Sequence, residues 1–389
     1  MKTRVAIVLV AAAALVLAGC GGKGGGNTIK IGMLYNMTGS QASLDAPSAN
    51  GATLAAKEIN AAGGVLGKQI QLVAYDGKSD AATIGTSATQ LVNSDKVVAM
   101  FGFSDSDMVM AAAPTAAKAG VVFVTSGATS PKLPDQVPDY LYLACFGDNV
   151  QAAAGAEYAV NTMKARNVYL LIDKGMEYTL LLGKYFKERF TELGGTVILE
   201  DTYQGGDKDF SAQITKLKGQ KAKADLLYIA SGPDDVGTIV KQFRDAGVKT
   251  PIMGGDGYDT PLLVQVAGKG SENVYFTTHS LVDAAQGTDA VKKFIAAYQG
   301  EFKNPPENAF AGLGYDTVKL LADAMKRANS SDPQKVRAAL SQTKDLAGVT
   351  GAITFAGSRI PQKGVTVILV KGGAFTLAAE VVPQKVPAP

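Results

Sequence analysis

Two short segments rich in Ser, Thr and Gly follow two apolar runs of the sequence. Residues 102–106 come directly after the run 97–101, and residues 126–130 come directly after the run 121–125. Continuous runs of Val, Met and Phe are typical of parallel strands covered on both faces, and such strands end at one shared edge of the sheet. Hydroxyl groups and free backbone N–H groups at that edge, beside a helix start at Ser106, would bind an anion such as a carboxylate.

The same residues also fit a purely structural role. Ser106 could be only the N-cap of the helix, and Thr129 only a turn residue. Pro114 is expected to kink or divide that helix. Asp105 and Asp107 would repel an anionic ligand unless both side chains point to solvent. An anion site and a plain helix start therefore both stay open at this point.

A single carboxylate stands among glycines in the segment 253–257, Met-Gly-Gly-Asp-Gly. Asp256 follows a short predicted strand and could balance a positive charge on a ligand, or it could simply form a turn. Tyr178, at the start of a predicted helix, could be a wall of the ligand site or an ordinary packing residue. Neither residue decides its role without further context.

Enzyme signals are weak in this sequence. His279 is the sole histidine, so a histidine-rich metal site is excluded and a Ser-His-Asp triad would have to use it. Residues 175–184 match a phosphate loop only in a first Gly and a late Gly-Lys pair, and residues 254–257 lack the dinucleotide spacing. Asp105 and Asp107 resemble the short D-x-D motif of haloacid-dehalogenase-type phosphatases. We predict a protein without catalytic residues, cofactor or metal, with this phosphatase as the alternative.

The elements that position these residues alternate between strands and helices, as in doubly wound α/β proteins. The alternation restarts after Asp148, so we expect two α/β domains. Strands are predicted at 28–35, 69–75, 97–101, 121–125, 167–172, 196–203, 225–230, 251–254 and 273–278, and helices at 50–62, 81–93, 150–164, 178–193, 210–218 and 234–246.

The carboxyl-terminal part carries successive helices without strands between them. Helices alone cannot build a third parallel sheet, so we expect them to cover the first domain. The domains would then be discontinuous and joined by several strands, with crossings near residues 140–148 and 273–278. The predicted helices are 289–302, 312–328 and 332–341, and short strands follow at 349–355, 365–370 and 375–382.

The amino terminus has the pattern of an export signal. Two basic residues precede an uncharged apolar run, residues 5–17, that is too short to span a bilayer comfortably. Residues 17–20, Leu-Ala-Gly-Cys, resemble a bacterial lipobox, and the alternative is a cysteine buried in a core helix. We predict a signal peptide at residues 1–19 and a lipid on Cys20. Residues 20–27 would form a flexible tether whose ends lie on the order of 15 Å apart.

Composition limits the class of partner. Loss of residues 1–19 takes Lys2 and Arg4 from the 38 basic residues and leaves 36 against 35 acidic residues, a net charge of +1. Such a balance does not indicate a nucleic-acid partner. The mature chain is too long for one compact core, and a hydrophobic content of 47% is ample for two. Cys145 would be the only other cysteine, so we expect a buried thiol and no intrachain disulfide.

Six segments carry a family resemblance: IKIGMLYNMTG, AAKEINAAGGVLGKQIQLVAYD, FGFSDSD with the spacing to TSGATSP, KDFSAQITKLK and VKQFRDAGVKTPIMGGDG. Over residues 29–355 the chain resembles the branched-chain amino-acid-binding receptors of ABC transporters, the leucine/isoleucine/valine-binding-like type I periplasmic binding proteins. The resemblance implies an α/β fold of two doubly wound parallel-sheet lobes joined by three hinge crossings. It places lobe 1 at 28–147 plus 280–355 and lobe 2 at 148–279 plus 356–389.

The resemblance also implies roles for individual residues. Ser106 falls on the family serine that binds the ligand α-carboxylate, and Gly127 falls where backbone groups meet the ligand. Thr129 matches the family threonine whose hydroxyl contacts the head group. Asp256 falls on the acid that receives the α-ammonium, and Tyr178 aligns with an aromatic residue of the second lobe. A zwitterion needs such donors for its carboxylate and such an acid for its ammonium.

Two positions depart from the family pattern in the side-chain pocket. Leu44 and Gly232 stand where leucine-binding relatives carry tyrosines. Room is gained and a hydroxyl is lost, so we expect an apolar ligand side chain larger than, or shaped differently from, that of leucine. Phe103, Tyr178 or Tyr258 could instead swing in and restore a leucine-sized pocket.

Together these features predict an exported, lipid-anchored receptor at the periplasm or cell surface. It would act as a monomer, close its lobes on a free amino acid by a hinge motion and present that ligand to the membrane subunits of an ABC permease. Its membrane contact would be the lipid alone. A sensor module that reports the same ligand is the second alternative, which the absence of a fused transmembrane or kinase segment disfavours.

Overall fold

The first sheet is five-stranded, parallel and built from the amino-terminal part of the chain. The structure is a computed structural model that describes residues 27–355 and 357–389. The strand order is β2-β1-β3-β4-β5. The strands are β1 (Thr28–Tyr35), β2 (Gln69–Asp76), β3 (Ala99–Gly102), β4 (Val122–Thr125) and β5 (Leu141–Leu143), and the helices between them are α1 (Ala42–Ala61), α2 (Ala81–Gln90), α3 (Ser106–Lys118) and α4 (Leu133–Gln136). Strands β3 and β4 are buried throughout, as their apolar runs predict.

The second sheet is seven-stranded, with the order β12-β11-β10-β9-β8-β6-β7. Strands β6 to β10 pair in parallel, whereas β11 and β12 add an antiparallel hairpin at one edge. Its elements are α5 (Asp148–Asn161), β6 (Asn167–Asp173), α6 (Glu177–Glu192), β7 (Thr196–Tyr203), α7 (Ser211–Lys218), β8 (Leu226–Ala230), α8 (Val236–Asp245), β9 (Ile252–Gly254), α9 (Pro261–Ala267), β10 (Val274–Thr278), β11 (Val365–Lys371) and β12 (Ala374–Val381).

Three further helices, α10 (Asp289–Phe302), α11 (Ala309–Arg327) and α12 (Pro333–Ser341), pack on the first lobe. Helices α11 and α12 contact strands β3 and β4, and α10 packs on α1. Helix α11 runs along α1 in direct backbone contact. A Cβ atom at Gly51 would lie 1.8 Å from the Ala311 carbonyl oxygen, and one at Gly314 would lie 1.9 Å from the Ser48 carbonyl oxygen. Only glycine allows this approach, and the helices cover the first sheet as expected.

The described chain passes three times between the two sheets. It does so between β5 and α5, between β10 and α10, and between residue 355 and β11. These passages agree with the predicted α/β fold of two lobes joined by three crossings. The backbone of Leu143 donates a hydrogen bond to the Arg359 carbonyl, so the last segment still contacts the first sheet beyond residue 355. The boundaries given above for the two lobes stay a prediction.

Several element predictions need correction. Helix α1 begins at Ala42, eight residues earlier than expected, because buried Asp45 accepts hydrogen bonds from Asn36 and Ser104 and so ties the first turns to the loops around them. Helix α3 continues through Pro114 and is not divided. Residues 349–355 form no strand. Instead, the Asp316 carboxylate accepts hydrogen bonds from the N–H groups of residues 349 and 350.

No helix in the described part of the chain is long and apolar enough to cross a membrane. The same residues contain no cluster of His, Cys, Asp or Glu that could hold a metal ion. Cys145 is a buried free thiol, as expected, and donates to the Ala128 carbonyl at 3.2 Å. The predicted signal peptide and Cys20 lie outside the described residues.

Candidate functional site

The first wall of the site lies at the carboxyl edge of β3 and β4. Asp105, not Ser106, is the N-cap of α3, because its carboxylate accepts the N–H groups of Asp107 and Met108. Ser106 is the first helical residue and is fully buried. Its Oγ accepts the N–H of Ser130 at 3.3 Å. The helix start therefore joins the second loop, as the paired strands predict.

Phe103 and Gly127 connect the same two loops through their backbones. The Gly127 N–H donates to the Phe103 carbonyl at 3.0 Å. Phe103 has a φ of 57°, in the left-handed region, which costs a non-glycine residue about 1 kcal/mol or more. Its ring stacks on Phe123 inside the core, so its side chain points away from the opposite lobe. A Cβ atom at Gly127 would lie 2.7 Å from the ring of Phe310.

The opposite wall centres on Asp256, in a 3₁₀ turn directly after β9. The side chain is buried, and both oxygens are held. Oδ1 accepts from Gln151 Nε2 at 2.9 Å, and Oδ2 lies 3.0 Å from His279 Nε2. Gln151 also accepts from the Asp256 N–H at 3.1 Å and from Thr277 Oγ1 at 2.9 Å. The carboxylate is thus fixed in place by side chains from α5 and from the second crossing.

A continuous hydrogen-bonded path links the two walls. Gln151 Nε2 donates to Asp148 Oδ1 at 3.0 Å, and the Asp148 N–H donates to the Thr129 carbonyl at 2.6 Å. Thr129 adjoins Ser130, which bonds to Ser106. The structure therefore brings Ser106, Thr129 and Asp256 into one network, although the sequence places them up to 150 residues apart.

Asp148 is a second carboxyl group in this network. It is fully buried, and burial together with the charge of Asp256 raises its pKa well above its usual value. Both effects favour its neutral form. Its Oδ2 has no hydrogen-bond partner among the described residues. Its place at the start of α5, directly after the first crossing, is the one hint of this residue in the sequence.

His279 lies at the second crossing, as predicted, and packs between two aromatic rings. It stacks on Phe146 at 3.9 Å between ring centroids and meets Phe310 edge-on at 5.7 Å. Burial lowers its pKa, an effect that the hydrogen bond to Asp256 opposes. A neutral imidazole can donate from Nε2 to Asp256, which leaves Nδ1 as an acceptor without a partner in the described chain. His279 thus positions the carboxylate.

The two lobes also touch across the mouth of the site. The Glu177 N–H donates to Asp107 Oδ2 at 3.2 Å, and Ser130 Oγ donates to Glu177 Oε1 at 3.3 Å. The next residue, Tyr178, accepts the Gly257 N–H at its Oη over 3.0 Å. Burial, with the charge of Asp256, raises the pKa of Tyr178 well above its usual value, so it stays a neutral phenol.

A small cavity remains between the lobes, of about 10 Å³, which is room for about one water molecule. It is lined by Gln41, Leu44, Ser104, Met176, Tyr178, Pro233, Asp256, Gly257 and Phe310. A Cβ atom at Gly232 would lie 3.2 Å from Met176 Sδ, so the methionine fills much of the room that glycine leaves. Tyr258 does not fill it, because its hydroxyl donates to the Ile229 carbonyl in the core.

The carboxylates of the alternative phosphatase motif both serve the fold. Asp105 caps α3, and burial together with the charge of Asp107 raises its pKa to about 7. Asp107 binds the backbone of Glu177 in the other lobe. Both groups therefore have structural partners, and neither faces a metal cluster in the part of the chain that the structure describes.

Comparison with known proteins identifies the family model that fits this chain. The model described as periplasmic binding protein matches residues 28–374. The Leu/Ile/Val-binding protein BraC3 of Rhizobium johnstonii is 29% identical over 84% of this chain and 87% of its own length. An amino acid binding protein of Pseudomonas aeruginosa is 30% identical over 79% of this chain and 80% of its own length.

Two solved structures share the fold over nearly their whole length. The branched-chain amino acid transporter substrate binding protein LivJ of Streptococcus pneumoniae, in complex with isoleucine, superposes with a TM-score of 0.84 at 34% identity and covers 91% of this chain and 99% of its own. The leucine binding protein LivK of Thermotoga maritima has a TM-score of 0.85 at 30% identity and covers 92% and 99%.

Proposed function

From the premise that the chain belongs to the periplasmic binding protein family, we propose that it binds a free α-amino acid with an apolar side chain between its two lobes. It is an extracytoplasmic solute-binding protein of an ABC transporter, as its amino-acid-binding relatives are. We further infer that the lobes close on the ligand by a hinge motion and present it to the permease.

The observation that carries the proposal is the setting of Asp256. This buried carboxylate is held by Gln151 and His279, both neutral, and the residues that line the cavity include no Lys or Arg. A buried charge without a counter-ion is costly, and the ammonium of an amino acid would supply that counter-ion. We therefore infer that Asp256 binds the α-ammonium of the ligand.

The α-carboxylate is assigned to the opposite wall. Ser106 begins α3, so its hydroxyl lies at the positive end of a helix dipole, while Asp105 accepts the N–H groups of Asp107 and Met108. Thr129 and the backbone of Gly127 adjoin it in the second loop. The charge of Asp107 is directed to the Glu177 backbone in the other lobe, which supports the location of an anion beside Ser106.

The side-chain pocket is assigned to the apolar part of the cavity wall. Leu44, Met176, Pro233 and Phe310 supply this part. Met176 has a flexible thioether that can rotate away from Gly232, so the pocket can enlarge for a branched or larger ligand side chain. The hydroxyl of Tyr178 is engaged with Gly257, which supports an apolar pocket. We infer a branched-chain or bulkier apolar amino acid.

Mass spectrometry of ligand released from the denatured, freshly purified protein tests this proposal. The expected result is a free apolar amino acid in near-equal molar ratio to protein. Recovery of a ligand that lacks an α-amino group would contradict it. The same preparation should show no magnesium-dependent hydrolysis of a phosphomonoester, the activity that the Asp105/Asp107 alternative requires.

Anchoring is a separate proposal that rests on the sequence alone. We infer that Cys20 carries a lipid and that residues 20–27 tether a monomeric receptor to the membrane. Fractionation of cells that express wild type and Cys20→Ser tests it. The wild type should sediment with membranes and the variant should be released, and equal sedimentation of both would disprove the anchor.

A further inference from the structure

A larger cavity lies at the hinge, apart from the amino-acid site. Its volume is about 420 Å³, and it shares no lining residue with the small cavity between the lobes. Both lobes contribute to its walls. In the second lobe, α9 contributes Val264 and β12 contributes Phe375, the second crossing contributes Leu281, and the segment before α11, which packs on the first lobe, contributes Glu307 and Asn308. A molecule bound here would therefore touch both sides of the hinge.

The charged groups that line this cavity are all acidic. Asp259, Asp283 and Glu307 face it, and no Lys, Arg or His is among its described lining residues. Asp259 is only 4% exposed. Its Oδ2 accepts Thr278 Oγ1 at 2.6 Å and the Ala309 N–H at 3.1 Å, so it caps α11 from the opposite side of the hinge. Its Oδ1 accepts no hydrogen bond from the described residues.

Asn308 provides an independent sign of a missing donor. The residue is 2% exposed and lines the cavity. Its Nδ2 donates to the Ser43 carbonyl at 2.9 Å, whereas its Oδ1 has no partner in the described chain. A buried acceptor without a hydrogen bond lowers the stability of the fold by about 1–3 kcal/mol, so a ligand that donates an N–H to Asn308 Oδ1 would be favoured. Asn308 Oδ1 and Asp259 Oδ1 are thus two acceptors at the cavity for which the described chain supplies no donor.

We propose that the hinge cavity is a second ligand site, one that takes a small organic cation with a primary ammonium group and an apolar body. The ammonium would donate to Asn308 Oδ1 and Asp259 Oδ1, with Glu307 nearby. The apolar body would pack on Val264, Leu281 and Phe375. Three donors on one nitrogen match this set of acceptors, and a cation also offsets the charge of the buried Asp259.

The state of Asp259 supports the same assignment. Burial raises its pKa to about 7, with the charge of Asp256 adding to this and the bonds from Thr278 and Ala309 opposing it. A carboxyl group with a cation of its own shows the opposite shift. The structure therefore contains a buried acid whose charge is not balanced by any side chain.

Benzylammonium chloride and its neutral isostere, benzyl alcohol, are the probes for this site. Calorimetry and saturation-transfer NMR on the purified full-length protein should show saturable benzylammonium binding and at least about tenfold weaker benzyl alcohol binding. Asp259→Asn keeps the helix cap but removes the charge, and should weaken benzylammonium at least about tenfold. Glu307→Gln, at an exposed position, should weaken it severalfold, whereas Asp245→Asn, on α8 and outside the cavity, should not change it.

Two results would overturn the hinge site. Equal binding of the two probes would show an apolar slot without cation selectivity. Loss of benzylammonium binding in Asp256→Asn, or its displacement by a saturating amino acid, would place the probe in the amino-acid site. Binding of the two probes and its weakening in Asp259→Asn are measured without an amino-acid ligand, so failure of the proposed function and failure of the hinge site are separate outcomes. Unchanged melting temperatures show that the variants fold.

Discussion

Two carboxyl groups that share one partner make the assignment of the ligand ammonium testable. Gln151 Nε2 donates to Asp256 Oδ1 at 2.9 Å and to Asp148 Oδ1 at 3.0 Å, and both acids are buried. We assign the charge that binds the ammonium to Asp256, because burial and the charge of Asp256 raise the pKa of Asp148 and so favour the neutral form of Asp148. The isosteric variants Asp256→Asn and Asp148→Asn should therefore differ strongly in amino-acid affinity.

The expected magnitudes follow from the charges removed. Loss of the partner of a desolvated ammonium costs about 2–5 kcal/mol. At about 1.4 kcal/mol for each tenfold, Asp256→Asn should weaken binding between roughly 30-fold and several thousand-fold. Asp148→Asn replaces a group whose raised pKa favours the neutral form and keeps an acceptor for Gln151, so it should weaken binding less than about tenfold.

Calorimetric titration at pH 7.5 with the amino acid recovered from the wild-type protein measures both effects. Circular dichroism melting shows that each variant is folded. An affinity of Asp256→Asn within about threefold of wild type would refute the ammonium assignment. Equal losses in the two variants would also refute it, because Asp148 would then carry the charge.

Three further predictions use single groups of the same site. Burial lowers the pKa of His279, so its imidazole becomes protonated only at a pH below the usual range of histidine. Affinity should fall when the pH is lowered far enough to protonate it, and calorimetry should find this fall absent in His279→Gln. Tyr178→Phe leaves the buried Gly257 N–H unpaired and should lower the free energy of unfolding by about 1–3 kcal/mol in urea titrations, and a change under about 0.5 kcal/mol would count against that bond. Gly127→Ala drives a methyl group into an aromatic ring and should lower the melting temperature, whereas Gly300→Ala, with open space at its Cβ, should not.

Much of the fold could be predicted from the sequence because the strands are continuous apolar runs. Strands β1 and β7 and helix α10 have the predicted bounds. The predicted element bounds are wrong where contacts with distant residues, and not the local sequence pattern, decide the structure. Strand β5 has only three residues, and the first turns of α1 depend on Asp45, a side chain bonded to two distant loops. Residues 349–355 have a strand-like composition, but a carboxylate from α11 satisfies their backbone.

The residues of the candidate site were likewise only partly predictable from the sequence. The resemblance named Ser106, Thr129 and Asp256, and the structure places them in one network. The sequence could not indicate that Gln151 and Asp256, 105 residues apart, would bond to each other, because a lone glutamine in an Ala-rich helix carries no pattern. His279 was visible as the sole histidine, but its partner was not.

The most direct test of the central claim, that this chain grips both charges of an amino acid, compares matched ligands by calorimetry. L-Leucine, 3-methylbutylamine and 4-methylpentanoate differ only in the charged groups of the head, and larger apolar amino acids with their own analogues extend the series. We expect tight binding of at least one apolar amino acid and at least about hundredfold weaker binding of each analogue that lacks one charge. Binding of an analogue without the α-ammonium within about tenfold of its parent amino acid would contradict it.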